Sequence, residues 1–208
     1  MQILPLWVDL VAIAAGALFG ATAAVRHKAP LVGIFLAGVL AALGGGILRD
    51  VLLGAEIAAM RNPYYLPTAL VAIILALPLY RVLPKTAAVH TAIDAFSLGA
   101  FVVVGTEKAL SHGLGATQAI VVGIATAVGG GVMNDVLMGK GPIVMARGRW
   151  YVTAVAIGAM FFAVLHPLVP AEPLRLVTVA LVVALRELSE RLEWDAPTGD
   201  RITRRKRS

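Results

Sequence analysis

The chain has 208 residues, 59% of them hydrophobic and 14% charged, with a mean hydropathy of +0.86. A soluble domain carries about a quarter charged residues, so this composition excludes an ordinary soluble fold, and seven membrane crossings of roughly 20 residues each leave no room for a second domain. The net charge of +6 lies largely in the C-terminal tail, which argues for lipid headgroups rather than nucleic acid as its partner, and the lack of cysteine excludes disulfides, thiol nucleophiles and thiolate metal sites.

The N-terminal stretch MQILPLWVDL lacks the basic start of a signal peptide and reads as the beginning of a retained first helix over 7–25. Apolar runs predict further helices over 31–54, 65–80, 91–106, 116–139, 150–165 and 174–190. Runs such as ALVAIILALPLY do not alternate, which excludes a β-barrel. The expected fold is therefore an all-α membrane protein, seven transmembrane helices in a single domain over residues 1–190. Gly16 and Gly20 in the first helix have the spacing of a close helix contact. Pro63, Pro67, Pro78 and Pro84 bracket the third, and only Pro78 falls well inside it. In the seventh, Arg186 with Glu190 and Glu187 with Arg191 are spaced for i, i+4 pairing. Residues 195–208, DAPTGDRITRRKRS, read as a disordered basic tail able to touch anionic lipids.

Lys and Arg are unevenly shared between the two sides of these spans. One side collects Arg26, Lys28, Arg81, Lys85, Lys140, Arg147, Arg149 and every basic residue from Arg186 onward. The other has only Arg49, Arg61, Lys108 and Arg175. The positive-inside rule then predicts an N-terminus outside and a cytoplasmic C-terminus.

The segment 38–54, GVLAALGGGILRDVLLG, recurs at 123–139 as GIATAVGGGVMNDVLMG, with nine of seventeen positions identical. The offset of 85 also relates Asp9 to Asp94, Gly20 to Gly105, and Thr68-Ala69 to Thr153-Ala154. A three-helix unit is duplicated, repeat one over 7–84 and repeat two over 92–169, with a seventh helix added at 174–190. Three is odd, so the second copy enters from the opposite face, and the two repeats are inverted, a plan recurrent in transport proteins.

The glycine triplets Gly44, Gly45, Gly46 and Gly129, Gly130, Gly131 each give up about 1 kcal/mol of helix propensity per residue relative to Ala. They are expected to kink or break both long helices beside a water-filled pathway; the alternative is a close helix contact. Arg49 and Asp50 follow the first triplet, Asn134 and Asp135 the second. Charges at such depth are costly and usually face a pathway. Neighbours on a helix point about 100° apart, so Arg49 is expected to pair across the repeats with Asp135 rather than with Asp50; snorkelling to the interface is the alternative. Ser97 and Thr126 complete the polar pore candidates. For Asp9 and Asp94, near the starts of their helices, capping of the macrodipole stands beside ion contact.

No catalytic or metal chemistry emerges. His27, His90, His112 and His166 all fall at helix ends without a second ligand at metal spacing. No phosphate-binding loop is present, because Gly139-Lys140 is followed by Gly141. Ser97 and Ser111 have no base placed for acyl transfer. No cofactor and no enzyme activity are expected.

The paired signatures GGGILRDVLLG and GGGVMNDVLMG resemble those of the prokaryotic trimeric intracellular cation (TRIC) channel family, as do NPYYL, Asn62–Leu66, and GKGPIVMARGRWY, Gly139–Tyr151. The resemblance spans nearly the whole chain to about residue 190. It implies a homotrimer with a potassium- and sodium-permeable pathway in each protomer. The glycine triplets would then form pore-lining kinks, with Arg49, Asp50 and Asp135 beside them. Asn134 stands where a second Arg is expected from the resemblance, which puts in doubt any gating scheme with a basic residue in both halves. The rival reading, a secondary transporter of a small zwitterion such as glycine, fits inverted repeats and broken helices equally.

Overall fold

A computed structural model of the chain describes residues 5–82, 87–142, 144 and 150–194. The expectations for Pro84, Lys85, Arg147, Arg149 and the basic tail therefore lie outside the described residues. Those residues form eight helices and no strand: α1 Leu6–Arg26, α2 Leu31–Leu52, α3 Ala58–Arg61, α4 Tyr65–Val82, α5 Ala87–Ser111, α6 Ala116–Leu137, α7 Val152–Leu165 and α8 Ala171–Arg191. Each predicted span overlaps one of the seven longer helices, α5 running four to five residues past its span at either end; the single-turn α3 is not among the predicted elements.

Five of them, α1, α2, α4, α5 and α6, are long and apolar enough to cross a membrane. The other two expected spans differ from these five. At 14 residues α7 extends only about 21 Å, against roughly 30 Å of hydrocarbon, and α8 carries charged residues toward both ends.

The helix ends follow from the sequence. The runs DVLLG and DVLMG close α2 and α6 in the same way. Gly54 and Gly139 take φ of 61° and 68°, a left-handed turn that glycine adopts without a Cβ penalty. Ala55 and Lys140 then donate back to the carbonyls of Asp50 and Asp135, each at 2.9 Å, the six-to-one bond of a Schellman cap. Gly113 ends α5 the same way, with Leu114 donating to the Ala109 carbonyl. Pro5, Pro30 and Pro170 precede α1, α2 and α8, positions where a proline removes no helical hydrogen bond.

Packing has two large cores and a small third one, Ala109, Ala119 and Val122, between α5 and α6. Ile13, Ala17, Ala37, Ala69 and Ile73 join α1, α2 and α4. Leu98, Val102, Val155, Phe162 and Val182 join α5, α7 and α8. Small residues let the helices approach closely: a Cβ on Gly20 would lie 2.5 Å from the Ala37 carbonyl oxygen, so the Gly16/Gly20 pair is the helix contact its spacing predicts. Gly105 meets Thr126 in the corresponding place between α5 and α6. Leu31, Val32, Val71, Leu75, Val164 and Val177 remain exposed around the outside, the surface pattern of a bundle solvated by lipid.

Candidate functional site

The glycine triplets sit where α2 crosses α6. Both helices run unbroken through them, from Leu31 to Leu52 and from Ala116 to Leu137, so of the kink or break expected there the break is absent. Hydrogen bonding along each helix is kept because Gly44, Gly45, Gly129 and Gly130 are used for approach. A Cβ on Gly45 would overlap the Thr126 carbonyl oxygen, and one on Gly130 would lie 2.7 Å from the carbonyl oxygen of Ala41. Ala41 lies against Gly130, Gly44 against Met133, and Leu48 against Gly129, an antiparallel register centred on the glycines. The third glycine of each triplet turns elsewhere, Gly46 toward Arg49 and Gly131 toward the Tyr151 hydroxyl.

Beyond the crossing, at the C-terminal end of α2, lies the first polar cluster. Arg49 and Asp50 are buried and bonded to each other, Nε to Oδ1 at 2.8 Å, so the expected Arg49–Asp135 pair is also corrected. The 100° between neighbouring positions does not separate them, because the arginine stem is long enough to fold the guanidinium back. Arg49 Nη1 also stands 3.5 Å from Asp9 of α1. The Tyr65 hydroxyl, at the start of α4, donates to the same Asp9 carboxylate. Lys108 of α5 donates to Asp50 at 2.9 Å, and the Ala58 backbone N–H to its other oxygen at 2.8 Å. Two cations thus balance two carboxylates. Asp50 is fully occupied, tying α2 to α5 and to the start of α3. Beside them is a cavity of about 10 Å³, bordered by Asp9, Gly46, Arg49 and Tyr65 and floored by Phe101, which is room for about one water.

A second cluster lies beyond the other end of the crossing. Asp94, the duplicate of Asp9, is buried in α5. The Tyr151 hydroxyl is 3.5 Å from Asp94, and Arg186 of α8 places Nη2 3.6 Å away. The same guanidinium lies over the Tyr151 ring, 5.0 Å from its centroid, and reaches Glu190 at 3.5 Å. Asn134, the duplicate of Arg49, is buried with its Oδ1 unbonded. Ser97 is buried one turn beyond Asp94. Thr126 returns its hydroxyl to the Val122 carbonyl at 2.6 Å and serves the helix contact. Asp135, half-buried, acts electrostatically on His27 and Lys140.

The predicted pairs along α8 are present, Arg186 with Glu190 at 3.5 Å and Arg191 with Glu187 at 4.0 Å. Not foreseen were Tyr65, Tyr151, the reach of Arg186 to Asp94, and a buried bidentate pair between Arg175 of α8 and Glu107 of α5 at 2.8 and 2.6 Å. The available signal is chemical: a charge inside an apolar helix demands a partner, and Glu107 and Arg175 are such charges of opposite sign.

Next to the α6 end, His27, Lys28, Leu36, Leu137 and Lys140 line an open groove of about 520 Å³. Desolvation, with Lys140 and Arg26 close by, lowers the His27 pKa from its ordinary value against a smaller upward pull from Asp135. The imidazole therefore stays neutral to lower pH than a free histidine. Lys140→Gln is expected to move its NMR titration midpoint upward; an unmoved midpoint would assign the shift to burial and Arg26 alone.

Comparison with known proteins places these features in context. A family model described as "Glycine transporter" matches residues 6–81 and 91–167, two stretches of nearly equal length that coincide with the duplicated segments. A UPF0126 membrane protein of Deinococcus radiodurans is 33% identical over 190 residues, covering 90% of this chain and 88% of the relative. The UPF0126 inner membrane protein YadS of Escherichia coli is 31% identical over 198 residues, covering 92% and 94%. A structure solved to explain conductance through TRIC cation channels superimposes with a TM-score of 0.81 at 31% identity, over 94% of this chain and 97% of that one. The TRIC orthologue from Rhodobacter sphaeroides superimposes at 0.79 and 29%, over 86% and 93%. These relatives are membrane proteins and channels, not enzymes.

Proposed function

The chain belongs to the prokaryotic TRIC channel family, and from that premise we propose that it is a monovalent cation channel, permeable to potassium and sodium, with a pathway in each protomer of a homotrimer. The observation that carries this reading is the likeness to a TRIC cation channel at 31% identity over nearly the full length of both chains. The geometry supports it. Two inverted three-helix repeats followed by α8 would put the Asp9–Arg49–Tyr65 and Asp94–Arg186–Tyr151 clusters at opposite ends of the antiparallel α2–α6 crossing. In this reading the pathway runs past Gly46 and Gly131, the third glycines, while the other four hold α2 against α6. Asp50, Asn134, Asp135, Ser97 and Thr126 flank it. The N-terminus faces outward and the C-terminus the cytoplasm, where the basic tail meets anionic lipid.

A fixed Arg49 in the path of a cation is tolerable because Asp9 and Asp50 balance its charge. In this reading the first cluster closes the pathway, since the space for one water beside it does not pass a hydrated ion. Opening requires Arg49 and Tyr65 to leave Asp9. Moving one charge through the full membrane potential is worth about 2.3 kcal/mol per 100 mV, enough to bias that step.

The test is potassium efflux from liposomes together with single-channel recording of the purified protein. Unitary, cation-selective current steps are the expected result. The second reading, a carrier of a small zwitterion such as glycine, is favoured by the description of the matching family model and by the presence of two closable clusters. It predicts saturable glycine uptake with no unitary steps, and that outcome would displace the channel.

A further inference from the structure

The two polar clusters have the same three parts: the aspartate keeps its repeat position, the tyrosine stands one residue off the 85-residue offset, and the guanidinium comes from a different part of the chain. In the first, a guanidinium 3.5 Å from an aspartate that also binds a tyrosine hydroxyl comes from the repeat itself, Arg49 on α2. In the second, Asp94 and Tyr151 reproduce the aspartate and tyrosine. The position equivalent to Arg49 is Asn134, whose amide cannot carry the charge and whose Oδ1 is buried and unbonded. The charge arrives instead from outside the duplication, as Arg186 on α8, 3.6 Å from Asp94.

We propose that Arg186 is the second gate residue of the pathway, supplied by the added helix to replace the arginine that repeat two lacks at Asn134. Each end of the crossing is then shut by an Arg–Asp–Tyr cluster. This rests on the pathway reading given above and deepens it.

Three features of α8 fit such a role. Its two buried arginines both contact α5, but unequally. Arg175 holds Glu107 by short, parallel bonds of 2.8 and 2.6 Å. Eleven residues on, about 16 Å along the helix, Arg186 lies over the Tyr151 ring and its ion pairs are long, 3.5 and 3.6 Å. Its Nε is buried without a partner, so the guanidinium is not locked into one geometry. A helix pinned at one end and loosely paired at the other can release its charge by a small swing. Glu190, one turn beyond on the same helix, already stands 3.5 Å from Arg186 Nη1 and keeps the guanidinium paired when Nη2 leaves Asp94.

The chain has no cysteine, so a single introduced thiol reports accessibility without background. Gly131→Cys places one beside the second cluster, where an added Cβ would be 3.4 Å from the Tyr151 hydroxyl; Gly46→Cys places one beside the first, with 3.8 Å to Arg49. The full-length protein in liposomes is treated with a membrane-impermeant methanethiosulfonate, and the rate of modification is measured by mass. Arg186→Ala is expected to speed reaction at position 131 by about tenfold, as losing one gate contact shifts the open population, and to leave position 46 unchanged. Adding Asn134→Arg to Arg186→Ala, which restores a guanidinium at the repeat-equivalent site, is expected to slow it again.

No acceleration in Arg186→Ala would overturn the proposal. Equal acceleration at both cysteines would overturn it too, as general loosening of the fold. Acceleration that Asn134→Arg fails to reverse would overturn the equivalence with Arg49. Thiol reactivity does not depend on which solute passes, so a failure here is distinguishable from absent cation currents.

Discussion

Gly45→Ala is expected to destabilise the protein while Gly46→Ala, one residue along the same helix, does not. The added methyl at position 45 would overlap the Thr126 carbonyl oxygen. A backbone carbonyl in a helix cannot rotate away, so α2 and α6 must separate. Overpacking of this kind costs about 1–3 kcal/mol and occasionally more; at roughly 2–4 °C per kcal/mol for a chain of this size, detergent melting should fall by several degrees. Gly45→Val, with more to accommodate, should leave little folded protein. At position 46 the nearest atom is 3.8 Å away, and alanine gains about 1 kcal/mol of helix propensity. Thermal melting of the two single variants checks this directly. Equal responses would mean that the triplet acts as a hinge, where each glycine supplies freedom rather than room.

The second large effect is expected at Glu107 and Arg175. Both are buried, Glu107 at 2% and Arg175 at 5% exposure, and their paired hydrogen bonds tie the start of α8 to the end of α5. Glu107→Ala leaves a guanidinium in a dry site with only Glu172 at 2.6 Å, itself largely exposed. Breaking a buried pair from one side costs about 3–5 kcal/mol, so this variant should melt far below the parent. Replacing both partners, Glu107→Leu with Arg175→Met, removes the unpaired charge and should recover most of that loss, because apolar residues of similar volume substitute well for buried ion pairs. If the double variant melts no higher than Glu107→Ala, the pair is not what holds α8 in place.

The glycine triplets illustrate how a feature can be plain in a sequence while its purpose is not. Two identical triplets 85 residues apart announce that small residues are needed there. They do not say whether the need is for backbone freedom or for close approach. That depends on what faces them, and the answer is Thr126, Ala41 and each other, from a helix about eighty residues away in the chain. The ends of the same helices were different. DVLLG and DVLMG encode their own caps, since a Schellman turn involves only residues within six of one another.

Charge pairing divides along the same line. Arg186 with Glu190 and Glu187 with Arg191 were legible from i, i+4 spacing alone. Arg49 with Asp50 is adjacent in sequence, but the 100° between their Cβ directions hides a pairing that the length of the arginine stem permits. Tyr65 with Asp9, Lys108 with Asp50, Arg186 with Asp94 and Arg175 with Glu107 were not legible. Each joins residues more than fifty apart, and nothing in local periodicity orders such distances.

Composition, apolar runs and the 85-residue repetition by themselves determined the class of the protein, the approximate positions of its long helices and the likeness of two segments of its sequence, because each is written in residue type and local spacing. Only the tertiary structure decided that the glycines serve contact rather than a break, and that the second half takes its buried positive charge from α8. A buried charge is balanced by whichever opposite charge the packing brings within a few ångströms, and that proximity exists only once the helices are assembled.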